Sequence, residues 1–427
     1  MTRLTALALA GTALTALPAA AQDTARPAVD AAAVMTTYAD IAEAGFADAL
    51  STAQALQAAV AALVATPSEE TLTAARAAWK AARVPYLQTE TFRFANPIVD
   101  DWEGRVNAWP LDEGLIDYVD ADSYGGASDE NEFRALDVIA NPQFDLAGET
   151  VDATEITPEL IAGTLHEADE IEANVASGYH AIEFLLWGQD LHGTEAGAGE
   201  RPFTDYAQGA DCTGGNCDRR AAYLTAATAL LVTDLQEMAG DWAEGGAART
   251  EALADPAGAV RALKGMGSLS YGELAGERTK LGLMLNDPEE EQDCFSDNTH
   301  LSLYYDAKGI QNLWLGHYER PDGSVVEGVS LQALVADKDA AVAEQLTAEI
   351  AATMAAADTL STAAAHGMAY DMMLAPGNAE GEALIMAVVD GLVTQTRGIE
   401  RAVTALGAEA VEIEGSDSLD NPAVVQK

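Results

Sequence analysis

Apolar residues recur every three or four positions over most of this chain, and that period is what most restricts how it can fold. Phe46, Leu50, Leu56, Val60 and Leu63 fall near one helical stripe, as do Leu72, Ala75, Trp79 and Tyr86 after a break at Thr66-Pro67-Ser68-Glu69. Leu224, Leu231, Leu235 and Met238 form a third stripe. Leu331, Leu334, Val342, Leu346 and Ile350 are expected on one helix, and Ile385, Val388, Leu392, Ile399, Val403 and Leu406 on another. No extended region alternates with period two in β-branched residues, so a large sheet is not expected. A helix with one apolar stripe buries it against other helices, which leads to an all-α chain of packed bundles. The 427 residues are enough for two bundles of about four helices each.

Three stretches rich in Pro, Gly, Asp and Asn interrupt the period, at 96–154, 192–216 and 287–328. They read as long irregular loops, which in a compact domain are functional or disordered. A boundary is expected near Gly245-Gly246. It separates an N-terminal bundle (22–245) from a C-terminal one (246–410), with a polar, flexible tail over 411–427. Residues 1–21, MTRLTALALAGTALTALPAAA, have the order of an export signal: Arg3, an apolar run, then Ala19-Ala20-Ala21 before Gln22. No later stretch reads as the roughly 18 uncharged apolar residues that a membrane helix needs. The expected location is a bacterial periplasm. Cys212 and Cys217 flank Thr-Gly-Gly-Asn and can close a local disulfide there or, alternatively, form half of a metal knuckle; Cys294 is left over.

Charge narrows the function. With 69 acidic and 22 basic residues the formal net charge is -47. Such a surface repels phosphate backbones and anionic lipid, so nucleic acid is not an expected partner, and it attracts cations. Six histidines are present. In Gly178-Tyr179-His180-Ala181-Ile182-Glu183 an imidazole and a carboxylate stand three residues apart, on one face of a helix, where they can share a metal ion. Asp297-Asn298-Thr299-His300 repeats the pair in reverse order. Glu90 follows Trp79, Arg83 and Tyr86 on the stripe expected to be buried, where a carboxylate must be bound to a metal or paired, with Arg83 or Arg93 as the candidate partners. Glu273 and Glu277 are one turn apart beside Arg278, and like charges so placed repel unless a cation lies between them. Salt bridges are the alternative for each of these groups. HExxH, HxxEH, GxSxG, Walker A, GxGxxG and CxxCH motifs are all missing from the sequence.

Gly178-Tyr-His180-Ala-Ile-Glu183-Phe-Leu-Leu-Trp-Gly188 resembles the GxHxxE signature of the imelysin family. Pro85 to Phe94, Val106 to Tyr118, Gly272 to Arg278 and Asp293 to His300 resemble further blocks of that family, in order, over about residues 30 to 408. The second-half blocks are most similar to its iron-regulated protein A branch; the insulin-cleaving membrane protease is another member of the family. The resemblance implies two similar helical bundles related by duplication, with a polar site between them. It makes His180 and Glu183 the metal ligands. Glu90, Glu277, Asp297 and His300 extend the set through the matching blocks. Iron is the expected metal, with zinc and calcium as alternatives, and a membrane iron-transport component is a candidate partner.

Two functions then compete. One is iron binding in acquisition or handling. The other is an imelysin-type metallopeptidase using His180 and Glu183. A zinc peptidase needs three protein ligands, an open position and a general base. If His180 and Glu183 both ligate, no base is named, so binding is the preferred reading.

Overall fold

Helix starts in this chain are set by short polar side chains. Asp30 caps the helix Ala31–Ala65 by accepting from the N–H of Ala32. Ser68 and Thr71 close a reciprocal capping box at the start of Glu69–Leu87, so the break expected at 66–69 is real. Asn96 caps Pro97–Asn107, and Asp339 caps Ala340–Ala365. The structure is a computed structural model that describes residues 28–425 except 129, 130, 147 and 410; the export signal expected at 1–21 lies outside the described residues.

The fold is all-α. Ala31–Ala65 packs lengthwise against Glu69–Leu87 and Cys217–Trp242, and Gly178–Trp187 fills in against the last two, completing a first group of four helices. The second group comprises Gly258–Ser268 with its π-helical continuation Leu269–Lys280, then Thr299–Leu315, Ala340–Ala365 and Ala379–Ala405. Thr299–Leu315 also packs on Glu69–Leu87, and Gly258–Ser268 packs on the 3₁₀ turn Glu90–Ala95. The buried apolar side chains of both groups join in one continuous core, from Val34 through Trp79, Phe184 and Trp314 to Val403. The strands among the described residues are two short antiparallel hairpins, Gln143–Leu146 with Glu149–Asp152 and His317–Glu319 with Val325–Glu327.

Several elements differ from the sequence reading, each for a local reason. Pro97–Asn107 and Thr299–Leu315 are helices inside stretches expected to be irregular. In the first, Asn96 and Pro97 are start signals, a cap and a first-turn proline, rather than loop residues. In the second, Gly309 is there for contact: a Cβ would lie 2.5 Å from the carbonyl oxygen of Gln88, so the glycine lets two helices approach. The single helix expected over 331–350 is two, Leu331–Lys338 and Ala340–Ala365, because Asp339 turns extended and caps the second. The segment after 411 carries the turns Asp417–Asp420 and Pro422–Val425; Ser416 and Ser418 are buried, and Ser416 lies against Gly276. Ala31–Ala65 is long and apolar enough to cross a membrane, which the sequence reading did not anticipate; alanine gives it that hydropathy, and Phe46, Leu56, Val60 and Leu63 are buried in the core. Cys212 and Cys217 form a disulfide, and Cys294 is a free, half-buried thiol.

The Gly309 contact yields a test. Gly309→Ala is expected to destabilise the protein by about 1–3 kcal/mol, the cost of overpacking, although alanine is the better helix former. Chemical denaturation of the two proteins measures it; equal or higher stability in the variant would show that the helices can separate without cost.

Candidate metal centre

Gly178 fixes the entry to the functional helix. Its φ is 81°, and a Cβ there would strike the backbone of Val106, so the first residue of the GxHxxE pattern has to be glycine. All ten residues of Gly178–Trp187 are buried. His180 and Glu183 share a face as their spacing predicts, with Nδ1 3.2 Å from Oε2. The third member comes from far along the chain: Asp293 Oδ1 lies 3.6 Å from the same imidazole nitrogen. Potential ligand atoms of His180, Glu183 and Asp293 all lie within 4.8 Å of one another. The three side chains are sealed, at 1%, 0% and 0% exposure.

Asp293 is held by several donors. Arg83 Nη2 donates to its Oδ1 at 3.0 Å, and Asn298 and Ser302 donate to its Oδ2. Arg83 reaches Asn107 Oδ1 at 2.5 Å with its other arm and lies 5.1 Å over the ring of Tyr179. Glu183 has no arginine or lysine in an ion pair among the described residues; its Oε1 accepts the N–H of Ser296 at 3.0 Å. Lys80 donates to the carbonyl of Ser296 instead.

The electrostatics follow from this geometry. Burial, and then the Arg83 charge, push the His180 imidazole down to about 3, so it is neutral. Burial and the Asp293 charge push the Glu183 carboxyl well above its ordinary range. Burial is the largest influence on Asp293 and works against its charge, but Arg83 together with the hydrogen bonds from Ser302 and Asn298 holds that carboxyl below the ordinary range. His180 Nε2 is buried without a hydrogen-bond partner. A neutral imidazole, a carboxyl lacking a counter-charge and an ionised carboxylate thus converge. The donor set is mixed nitrogen and oxygen without thiolate, which suits iron or zinc.

The other residues singled out from the sequence lie in neighbouring places. Glu90 is buried, but its partner is neither Arg83 nor Arg93: Arg278 Nη2 lies 2.9 Å from its Oε2, and the same guanidinium contacts Glu273 at 3.1 Å and Asp306 at 3.2 Å. Glu277 is half-buried on a 380 Å³ cleft it shares with Glu273, Arg278 and Gln292. His300 is half-buried with its Nδ1 unpartnered, and burial and Lys80 push it down to about 4; it stands near the triad without joining it. Asp297 and His300 do not share a helical face. Asp297 has φ 52° and lies two residues ahead of the helix Thr299–Leu315, and its carboxylate turns to Asp190 and Asp371. Sequence reasoning did not place Asp293 among the ligands. It lies 110 residues beyond Glu183, and no local spacing marks it.

A family model described as Imelysin, of the peptidase M75 group, matches residues 42–399. A search of curated proteins finds no match. Among solved structures the fold is similar to that of a protein described as an iron-regulated protein A precursor from Parabacteroides distasonis. The TM-score is 0.61 at 18% identity, over 88% of this chain and 94% of that one.

The buried imidazole makes stability depend on pH. His180 has a folded value of about 3 against an ordinary 6.5, so as pH falls the unfolded chain takes up the proton first. Its contribution is whole above 6.5 and is lost down through about 3, at about 1.4 kcal/mol per pH unit. His180→Gln is expected to lose less stability than the wild type between pH 7 and pH 4, by denaturant unfolding at each pH. Parallel losses would show that the imidazole is not held neutral.

Proposed function

The chain belongs to the imelysin family, and from that premise we propose that it is a periplasmic metal-binding protein that holds iron in acquisition or handling. The observation that carries this reading is the sealed triad. His180 and Glu183 lie on a helix of the first group, and Asp293 lies just ahead of a helix of the second, so the ion is held where the two groups meet. The uncompensated Glu183, beside His180 Nδ1 and Asp293, is what a bound cation would satisfy. Zinc and calcium would compete, calcium less well because one donor is an imidazole. That a solved protein of this fold is described as iron-regulated is consistent with iron. The order of residues 1–21 and the Cys212–Cys217 disulfide support an oxidising, extracytoplasmic location. A cargo held in this way would be passed to a membrane iron-transport component.

The peptidase reading is less well supported. Hydrolysis needs an open position for water and access for a peptide carbonyl, but His180, Glu183 and Asp293 are at most 1% exposed. If Glu183 served as the base, two of the three donors would remain, one of them already paired with Arg83.

Calorimetric titration with Fe(II) under anaerobic conditions, in buffers of different ionisation enthalpy, tests the proposal. One ion is expected to bind per chain with release of about one proton, from Glu183, since the bound carboxyl must ionise. His180→Ala is expected to weaken binding more than about 100-fold, beyond the cost of losing a second-shell partner. Wild-type affinity in that variant would refute the site. Chelator-sensitive peptide cleavage that is lost in Glu183→Gln would move the reading to a peptidase.

A further inference from the structure

We propose that Asp190, Asp297 and Asp371 form a second, all-oxygen cation site suited to calcium. It goes beyond the iron reading and does not depend on it, because it shares no residue with the His180 triad.

One oxygen from each carboxylate lies within 4.8 Å of the others. The cluster is more than an acidic patch. Asp371 is 1% exposed, yet neither of its oxygens accepts a hydrogen bond. Asp297 Oδ1 is likewise buried and unpartnered. Asp190 Oδ1 accepts from the backbone N–H of His192 at 2.9 Å and lies 2.7 Å from its Nδ1, which leaves the second oxygen uncommitted. No lysine or arginine among the described residues forms an ion pair with any of the three; Lys80 is committed to the Ser296 carbonyl at 2.9 Å. Glu291, 1% exposed with both oxygens unpartnered, lies beside Asp371. A buried carboxylate without donors or a counter-charge is costly, and here several converge.

Donor type selects the ion. Three hard oxygens and no nitrogen donor favour calcium over iron or zinc, and calcium accepts an irregular carboxylate set where magnesium demands near-ideal octahedral geometry. Asp190 lines a 440 Å³ cleft together with Glu113, Glu289 and Glu290, so the approach from solvent is acidic. The bound ion would tie together the segment after Gly178–Trp187, the segment before Thr299–Leu315 and the turn Tyr370–Leu374.

Thermal melts and calorimetry of the chelator-treated protein with calcium chloride test this. Calcium is expected to raise the wild-type melting temperature. Asp371→Asn removes one of the repelling charges, so its metal-free melting temperature is expected to equal or exceed that of the wild type, while its calcium affinity falls at least tenfold. His180→Ala is expected to keep the wild-type calcium response. A wild-type calcium response in Asp371→Asn would overturn the site, and so would loss of that response in His180→Ala, which would assign calcium to the triad. Should Asp371→Asn fail to fold, Asp297→Asn takes its place: a tenfold loss of calcium affinity there supports the site, and an unchanged affinity overturns it. Iron titration of Asp371→Asn separates the readings, since iron binding is expected to survive there.

Discussion

The ion pair between Arg83 and Asp293 is the contact on which the rest of the centre depends. It joins the helix Glu69–Leu87 to the segment ahead of Thr299–Leu315 at 3.0 Å, with both groups fully buried. Burying two charges costs several kcal/mol in desolvation, roughly repaid when every remaining donor and acceptor finds a partner. Asn107, Asn298, Ser302 and the rings of Tyr86 and Tyr179 supply most of those partners. Held in this way, Asp293 has one position, beside His180. The pair does little for net stability, but it sets where two distant pieces of chain meet.

Basic residues are scarce in this chain, and their placement divides the buried carboxylates into two kinds. Arg278 engages Glu90, Glu273 and Asp306; Arg201 and Arg220 close on Asp117 at 2.6 and 2.5 Å. These carboxylates belong to the architecture. Glu183, Glu291, Asp297 and Asp371 are buried or half-buried and have no such partner. With 69 acids against 22 bases, neutralisation by arginine cannot reach every acid, and the ones left over gather near the junction of the two helix groups. That pattern makes the same region suited to metal cations.

The parts legible in the sequence were those encoded locally. The helical stripes, the break at Ser68 and the shared face of His180 and Glu183 follow from periods and caps, which are properties of neighbouring residues. The burial of Glu90 was also legible from its stripe, although its partner was not, because Arg278 is 188 residues away. Asp293 was invisible as a ligand for the same reason. The Asp297–His300 pairing misled because a spacing of three implies one face only inside a helix, and Asp297 sits just outside one in a left-handed turn. Glycine and asparagine in Thr299–Leu315 suggested a loop, but there they answer to a neighbouring helix rather than to the backbone's own preference.

The stretch Leu269–Lys280 winds as a π-helix, with each amide reaching one residue further back than in an ordinary helix. A coil of that width is equivalent to an α-helix that has accommodated extra sequence. Loss of one residue from it would let the segment relax into the tighter and more favourable winding. The flanking helix would survive such a deletion, but Arg278 would rotate about a quarter of a turn away from Glu90 and Asp306. The length of this one segment is therefore constrained in its own right, because a change in residue count would strand two acids in the interior.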